Sequence, residues 1–203
     1  MPEPLRRLPQ QARSRLRFNQ ILDAAALVFE EVGYEMASTE LIAVQANTSI
    51  GSLYRFFPDK SAILHALGER YASELKALFT EIFHPNNVDK PLVNIINEAV
   101  DLCDIFYSNN LAARIIFLQS QAFPQLQTMN RHLDNEIAVL FDTFLALRQS
   151  NIEASQRRLM ALMVVEIASA LQLFYWNQDE QMRQKIVIET KLVLIRYLEP
   201  IFQ

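Results

Sequence analysis

One cysteine, three glycines and three histidines are all that 203 residues contain of these types, and each scarcity removes a class of protein. The lone Cys103 forms no internal disulfide and no multi-cysteine zinc cluster, which fits a reducing compartment. Gly33, Gly51 and Gly68 are too far apart for a phosphate loop, a dinucleotide fingerprint or a nucleophile elbow. His65, His84 and His132 lack metal-site spacing, and Cys103 lies in the apolar stretch Leu92 to Phe106 with no activating base near it in sequence. These absences argue against an enzyme and predict neither metal nor cofactor. Three glycines and eight prolines are also sparse punctuation for the many tight turns of an all-β fold, so long helices are expected.

Long charge-free runs are missing as well. The longest, Ile115 to Asn130, is 16 residues and contains Pro124 and four glutamines, whereas a membrane-spanning helix needs about 20 mostly apolar residues. The first sixteen residues carry Arg6, Arg7, Arg13 and Arg15 without an apolar core, unlike a secretory signal. A soluble cytoplasmic protein with no membrane partner is therefore expected. With 51% hydrophobic and 21% charged residues, the chain has ample material for a core.

The formal net charge of −4 is unevenly placed. Residues 1–20 hold five arginines against the single Glu3, while residues 66–203 hold 12 basic and 16 acidic side chains. Basicity at one end fits a local nucleic-acid contact, and the acidic remainder argues against coating nucleic acid over the whole surface.

Apolar residues at Ile21, Leu22, Ala25, Val28, Phe29 and Val32 trace one face of a helix from Arg13 to Val32. Gly33 reads as its left-handed cap, with Tyr34 folding back onto it. Ser38 or Thr39 can cap a short helix through Ala46, in which Leu41 and Ile42 are expected in the core. Asn47, Thr48 and Ser49 interrupt the pattern, Asn47 suiting a left-handed turn, and a second short helix follows from Ile50 to Phe56 or Phe57. Two short helices joined by about three residues make a helix-turn-helix. Asp59 then caps a long helix to about His84, and further helices are expected over about 89–107, 109–122, 124–149, 154–177 and 179–199. The last two are apolar around most of their circumference, so they need cover on two sides, one of them from a second subunit.

The segment from Ser38 to Lys60, with Thr39, Ile42-Ala43, Ser49, Gly51-Ser52-Leu53-Tyr54, Phe56-Phe57 and Lys60, closely resembles the helix-turn-helix of the TetR family of regulators. Three positions depart from the family pattern. Asn47 and Thr48 stand where Gly and Val are commoner, and Phe56 replaces a Tyr or His that would offer a polar contact. The physical reading runs parallel: a short helix presents its first turn, Ile50, Gly51 and Ser52, to base edges in the major groove while flanking groups hold phosphates. Candidate DNA-binding residues are Thr39, Thr48, Ser49, Ile50, Gly51, Ser52, Tyr54, Arg55 and Lys60. The plainer alternative makes Tyr54 and Phe57 core aromatics and Arg55 a solvated charge. A glycine in a helix costs about 1 kcal/mol relative to Ala, and close approach to DNA gives Gly51 a reason to be there.

The expected architecture is all-α, about nine helices: a helix-turn-helix DNA-binding domain over 13–60 and a helical effector-binding and dimerisation domain over 61–203. Cys103, Phe106, Tyr107, Phe117, Gln121, Met129, Phe141 and Phe174 are candidates to line an effector site, being mostly apolar with a few orienting groups; core filling is the alternative for each. The two-sided apolarity of the last two helices predicts a homodimer through helices 8 and 9, and the resemblance implies that it represses from a palindromic double-stranded operator and is released by an unknown small apolar or amphipathic effector. An activator, or a regulator controlled by a protein partner, is the other possibility.

Overall fold

The computed structural model describes residues 12–149 and 151–199. Within them lie nine α-helices and no strand: α1 (Ala12–Met36), α2 (Thr39–Gln45), α3 (Ile50–Tyr54), α4 (Lys60–Ile82), α5 (Leu92–Asn109), α6 (Leu111–Gln119), α7 (Pro124–Arg148), α8 (Ala154–Tyr175) and α9 (Glu180–Leu198). A short 3₁₀ turn, Pro85–Asn87, follows α4 and was not signalled by periodicity. The chain packs as two compact units. Among the described residues, one is built from 12–71 with Asn110–Leu126, the other from Ala72–Asn109 with 127–149 and 151–199.

In the first unit, Ile21, Leu22, Ala25, Val28 and Phe29 of α1 are buried as their spacing predicts, whereas Val32 is 39% exposed. Gly33 has the positive φ of 75° that a glycine tolerates, but its ψ of 165° lies outside the left-handed helical region. The chain therefore kinks at Gly33 and completes one more turn to Met36. Tyr34 does fold back, its ring 5.6 Å from that of Phe29 and 5.2 Å from that of Phe123. The Ala112 N–H at the start of α6 donates to Glu30 Oε1 of α1 at 3.0 Å, so a distant carboxylate satisfies one of the open donors of that helix end.

Helix α3 ends earlier than expected. Phe56 and Phe57 leave the helical path and are 3% and 0% exposed, with Phe57 stacked on Phe18 at 4.9 Å. Pro58 disfavours helical backbone at the residue before it, and the two rings enter the core as the chain turns. Leu41 is a correction: it is 47% exposed, not buried. The inward face of α2 consists of Thr39, Ile42 and Ala43, one helical repeat, and Leu41 lies roughly 100° off it.

In the second unit α9 packs against both α5 and α8. Phe83 sits among Phe79, Phe141 and Phe144, with centroids 5.7, 5.0 and 5.8 Å away. Arg183 of α9 pairs with Asp104 of α5 and with Glu180, and its guanidinium lies 4.8 Å from the Trp176 ring centroid. Lys191 of α9 pairs with Asp101 of α5. Arg148, at the end of α7, donates to the Val88 and Lys90 carbonyls and fastens the connection after α4.

Helix α8 is, among the described residues, long and apolar enough to cross a membrane by length and composition. The charge-free-run criterion missed it because Glu166 interrupts the segment. Core helices of soluble proteins meet the same length and composition, and α8 buries Met160, Ala161, Val164, Gln172 and Tyr175 within its unit.

Candidate nucleic-acid interface

Each short helix is started by a serine. Ser38 Oγ accepts from the Leu41 N–H and Ser49 Oγ from the Ser52 N–H, both at 3.2 Å; such caps contribute about 1 kcal/mol each. Between them Asn47 takes φ 46°, the left-handed conformation expected of it. Ile42 and Leu53 are fully buried and set the two helices against α1. Ser49 uses its oxygen as the cap and keeps its hydroxyl proton for an outside acceptor.

Among the DNA-binding candidates, Ser49, Ile50, Gly51 and Arg55 are exposed, and Thr48, Ser52 and Tyr54 are half-buried. They run through the turn and along α3 on either side of the buried Leu53. A Cβ built on Gly51 meets nothing within 4 Å, and its φ is not positive. Neither packing inside this chain nor backbone geometry calls for glycine there.

Two candidates sit differently from a free phosphate donor. Thr39 is 8% exposed, and its hydroxyl shares a 3.0 Å hydrogen bond with the Tyr54 hydroxyl, which ties α2 to α3. The Lys60 ammonium donates to the carbonyls of Tyr34, Glu35 and Ala37 at 2.7, 3.2 and 2.9 Å and lies 4.4 Å from the Tyr34 ring centroid. Its three donors are thus matched by three carbonyls at the end of α1.

Arg17 is the residue that sequence reasoning left in a general basic tail. Its Nη1 donates to Thr48 Oγ1 at 3.0 Å, joining the start of α1 to the turn. Four further guanidinium N–H groups remain, beside Arg13 and Arg15 on the same helix. A basic residue on the first turns of α1 was visible; a contact spanning 31 positions was not. Glu40, at the start of α2, has its carboxyl held below the usual range by its own backbone N–H and by the Ser38 hydroxyl.

The effector candidates do not form one group. Phe117 and Gln121 belong to the first unit, and Cys103, Phe106, Tyr107, Met129, Phe141 and Phe174 to the second. Gln121 is exposed and Phe174 is 54% exposed, so neither is enclosed as expected. On α8 the neighbouring Tyr175 turns inward in place of Phe174, because one residue is a step of roughly 100° around a helix. What α5, α7 and α8 do bring together is a polar group around Asp134. Ser169 Oγ donates to Asp134 Oδ2 at 3.1 Å, and Gln172 Nε2 donates to the Tyr175 hydroxyl at 3.2 Å. Burial pushes the Cys103 thiol up to about 12, with Asp134 adding to the effect and the Gln172 amide partly offsetting it. Burial likewise raises Tyr107 and Tyr175 well above the ordinary phenol, and it raises Asp134 to about 6.

Two family profiles match this chain. "Bacterial regulatory proteins, tetR family" matches residues 21–67, and "Tetracyclin repressor-like, C-terminal domain" matches residues 91–198, more than half of the chain. The A-factor receptor protein of Streptomyces griseus is 36% identical over 69 residues, 34% of this chain and 25% of that protein. The nucleoid occlusion factor SlmA of Haemophilus ducreyi is 37% identical over 76 residues, 37% of each chain. The chain therefore spans well under half of the length of these curated relatives. A TetR-family transcriptional regulator from Streptomyces coelicolor superposes with a TM-score of 0.65 at 25% identity, covering 94% of this chain and 100% of that one. A transcriptional regulator from Rhodococcus sp. Rha1 gives 0.69 at 16% identity, covering 92% and 98%, a likeness of fold.

Proposed function

Since the chain belongs to the tetR family of bacterial regulatory proteins, and is thereby a DNA-binding transcriptional regulator and not an enzyme, we propose that it is a repressor, released from a palindromic operator by a small apolar or amphipathic effector. It works in the cytoplasm as a homodimer. Residues 13–60 carry the DNA contact and residues 61–203 the effector site and the dimer contact.

Gly51 carries the reading for α3. It is an exposed helical glycine with no internal reason to be one, at the first turn of a helix whose start must approach base edges closely. Arg55 is the exposed side chain of this stretch that reaches a guanine edge or a phosphate; Ser49, Tyr54 and Arg17 hold phosphates. Thr39 and Lys60 act behind them, fixing α2 to α3 and the end of α1.

Support for the dimer lies in apolar side chains that each helix leaves uncovered. Leu159, Met163 and Phe174 of α8 are 58%, 40% and 54% exposed, and Met182, Ile188, Leu192 and Val193 of α9 are 45%, 57%, 40% and 44% exposed. Uncovered apolar surface on adjoining helices marks an association face.

Selection of bound fragments from a random duplex library, followed by titration with apolar and amphipathic compounds, tests the whole reading. A palindromic consensus and a compound that both stabilises the protein and weakens the complex are expected, since ligand and operator must weaken one another by the same factor. Binding with no sequence preference would overturn the operator assignment. Specific binding that no compound alters would transfer control to a protein partner.

A further inference from the structure

We propose that Ile50 reads thymine: its side chain packs on the 5-methyl group of one thymine in each operator half-site, beside the open backbone of Gly51. This rests on the operator-binding repressor described above and names the base that one of its reading residues selects.

The placement follows from α3 itself. Successive helical residues step by roughly 100°, and the buried position of this helix is Leu53, 0% exposed. The direction opposite Leu53 falls between Gly51 and Arg55. Ile50 and Tyr54 stand on one side of it and Ser52 on the other. Exposure agrees: Ile50, Gly51 and Arg55 are exposed, while Ser52 and Tyr54 are half-buried. A Cβ on Gly51 would meet nothing within 4 Å, so the outward face is open down to the backbone there. Ile50, 38% exposed, walls one side of that opening. Among the described residues of the turn and α3 it is the aliphatic side chain left outside, since Leu53 is in the core.

The chemistry of the groove decides what fits this wall. Polar groups near Ile50 are engaged within the chain: Ser49 Oγ accepts from the Ser52 N–H, Thr48 Oγ1 accepts from Arg17, and the Tyr54 hydroxyl shares its bond with Thr39. Ile50 itself has neither donor nor acceptor. In the major groove guanine, adenine and cytosine present donors and acceptors, and thymine adds a methyl group to its carbonyl. An aliphatic side chain set against an amino or carbonyl group displaces its water without replacing the hydrogen bond, which is costly. Set against the thymine methyl, it removes apolar surface of both partners from water. Ile50 therefore selects twice, by favouring thymine and by penalising the other bases. Its β-branch holds one preferred χ1 rotamer in a helix, so little freedom is lost when the contact forms.

The test uses the full chain and its selected operator, in which the thymines of the half-site are replaced by uracil one position at a time, symmetrically in both halves. Uracil pairs with adenine as thymine does and lacks only the methyl group. At one position the native protein should lose about fourfold in affinity per half-site, the worth of one methyl group removed from water, with little loss at the others. Ile50→Ala should bind the thymine operator more weakly by a similar factor, unfold at the native temperature because the side chain is exposed, and no longer distinguish uracil from thymine at that position. Ile50→Val should keep part of the distinction. Uracil losses of equal size in the native protein and Ile50→Ala at every position would overturn the assignment, as would a native protein indifferent to uracil throughout; the palindromic operator stands in both cases. A uracil loss as large in Ile50→Val as in the native protein would overturn it even if Ile50→Ala failed to fold. Selection that yields no consensus sequence overturns the operator reading and this inference together.

Discussion

The Lys60 ammonium reaches back from the first residue of α4 to the carbonyl of Tyr34, 2.7 Å away, and covers the ring of the same residue. A motif lysine that reads in sequence as a phosphate donor is, in the fold, the cap of the kinked end of α1. It holds the segment that leads into the helix-turn-helix.

Replacing Lys60 with Ala is therefore expected to destabilise the first unit by about 1–3 kcal/mol, the cost of leaving carbonyls without partners. Urea unfolding followed by circular dichroism measures it. A variant as stable as the native protein with weakened binding to every DNA sequence would restore the phosphate role instead.

Gly51→Ala separates folding from recognition. With no atom within 4 Å of the new Cβ, the protein should gain about 0.5–1 kcal/mol from helix propensity, while operator affinity falls. Native or improved affinity together with the gain in stability would remove close approach as the reason for this glycine.

Arg17→Ala should weaken binding to operator and to unrelated DNA alike and reduce the slope of log affinity against log salt by about 1. Thr48→Val, which removes the uncharged hydroxyl that accepts the Arg17 bond, should disturb operator affinity and leave the salt slope unchanged. Equal slopes in the native protein and Arg17→Ala would confine Arg17 to bracing the turn.

For the subunit contact, Met163→Glu combined with Ile188→Glu places charges on exposed apolar sites of α8 and α9. Sedimentation at micromolar concentration should then report 23.4 kDa in place of twice that mass. A persistent dimer with an intact fold would move the interface elsewhere.

The enclosed Asp134 gives a pH dependence of definite sign. Its carboxyl is raised to about 6 in the folded protein, above about 3.9 in an unfolded chain, so between these values the native state binds more protons than the unfolded one. Its contribution to stability consequently falls as pH rises from about 4 to about 6 and is constant above that. Asp134→Asn should gain on the native protein across this interval in urea titrations at pH 4.5, 5.5 and 7. A gap that shrinks over the same interval would mean that Asp134 is paired in solution.

The sequence alone determined the features whose cause is local. Helix spacing, the Asn47 turn and the caps at Ser38 and Asp59 depend on residues within four positions of one another, and these were legible. So was the helix-turn-helix itself, because a short helix needs its start, its stop and its buried face within a few residues. Tertiary structure decided everything that depends on which element arrives from far away. It set Lys60 against carbonyls 23 to 26 positions back, Arg17 against Thr48, and Glu30 against the start of α6. It also chose Tyr175 over Phe174 as the inward aromatic of α8, and paired Asp104 and Asp101 of α5 with Arg183 and Lys191 of α9. Periodicity shows that a helix has an apolar face; which residues at its margins are covered, and which charges meet, follows only from the surface that packs against it.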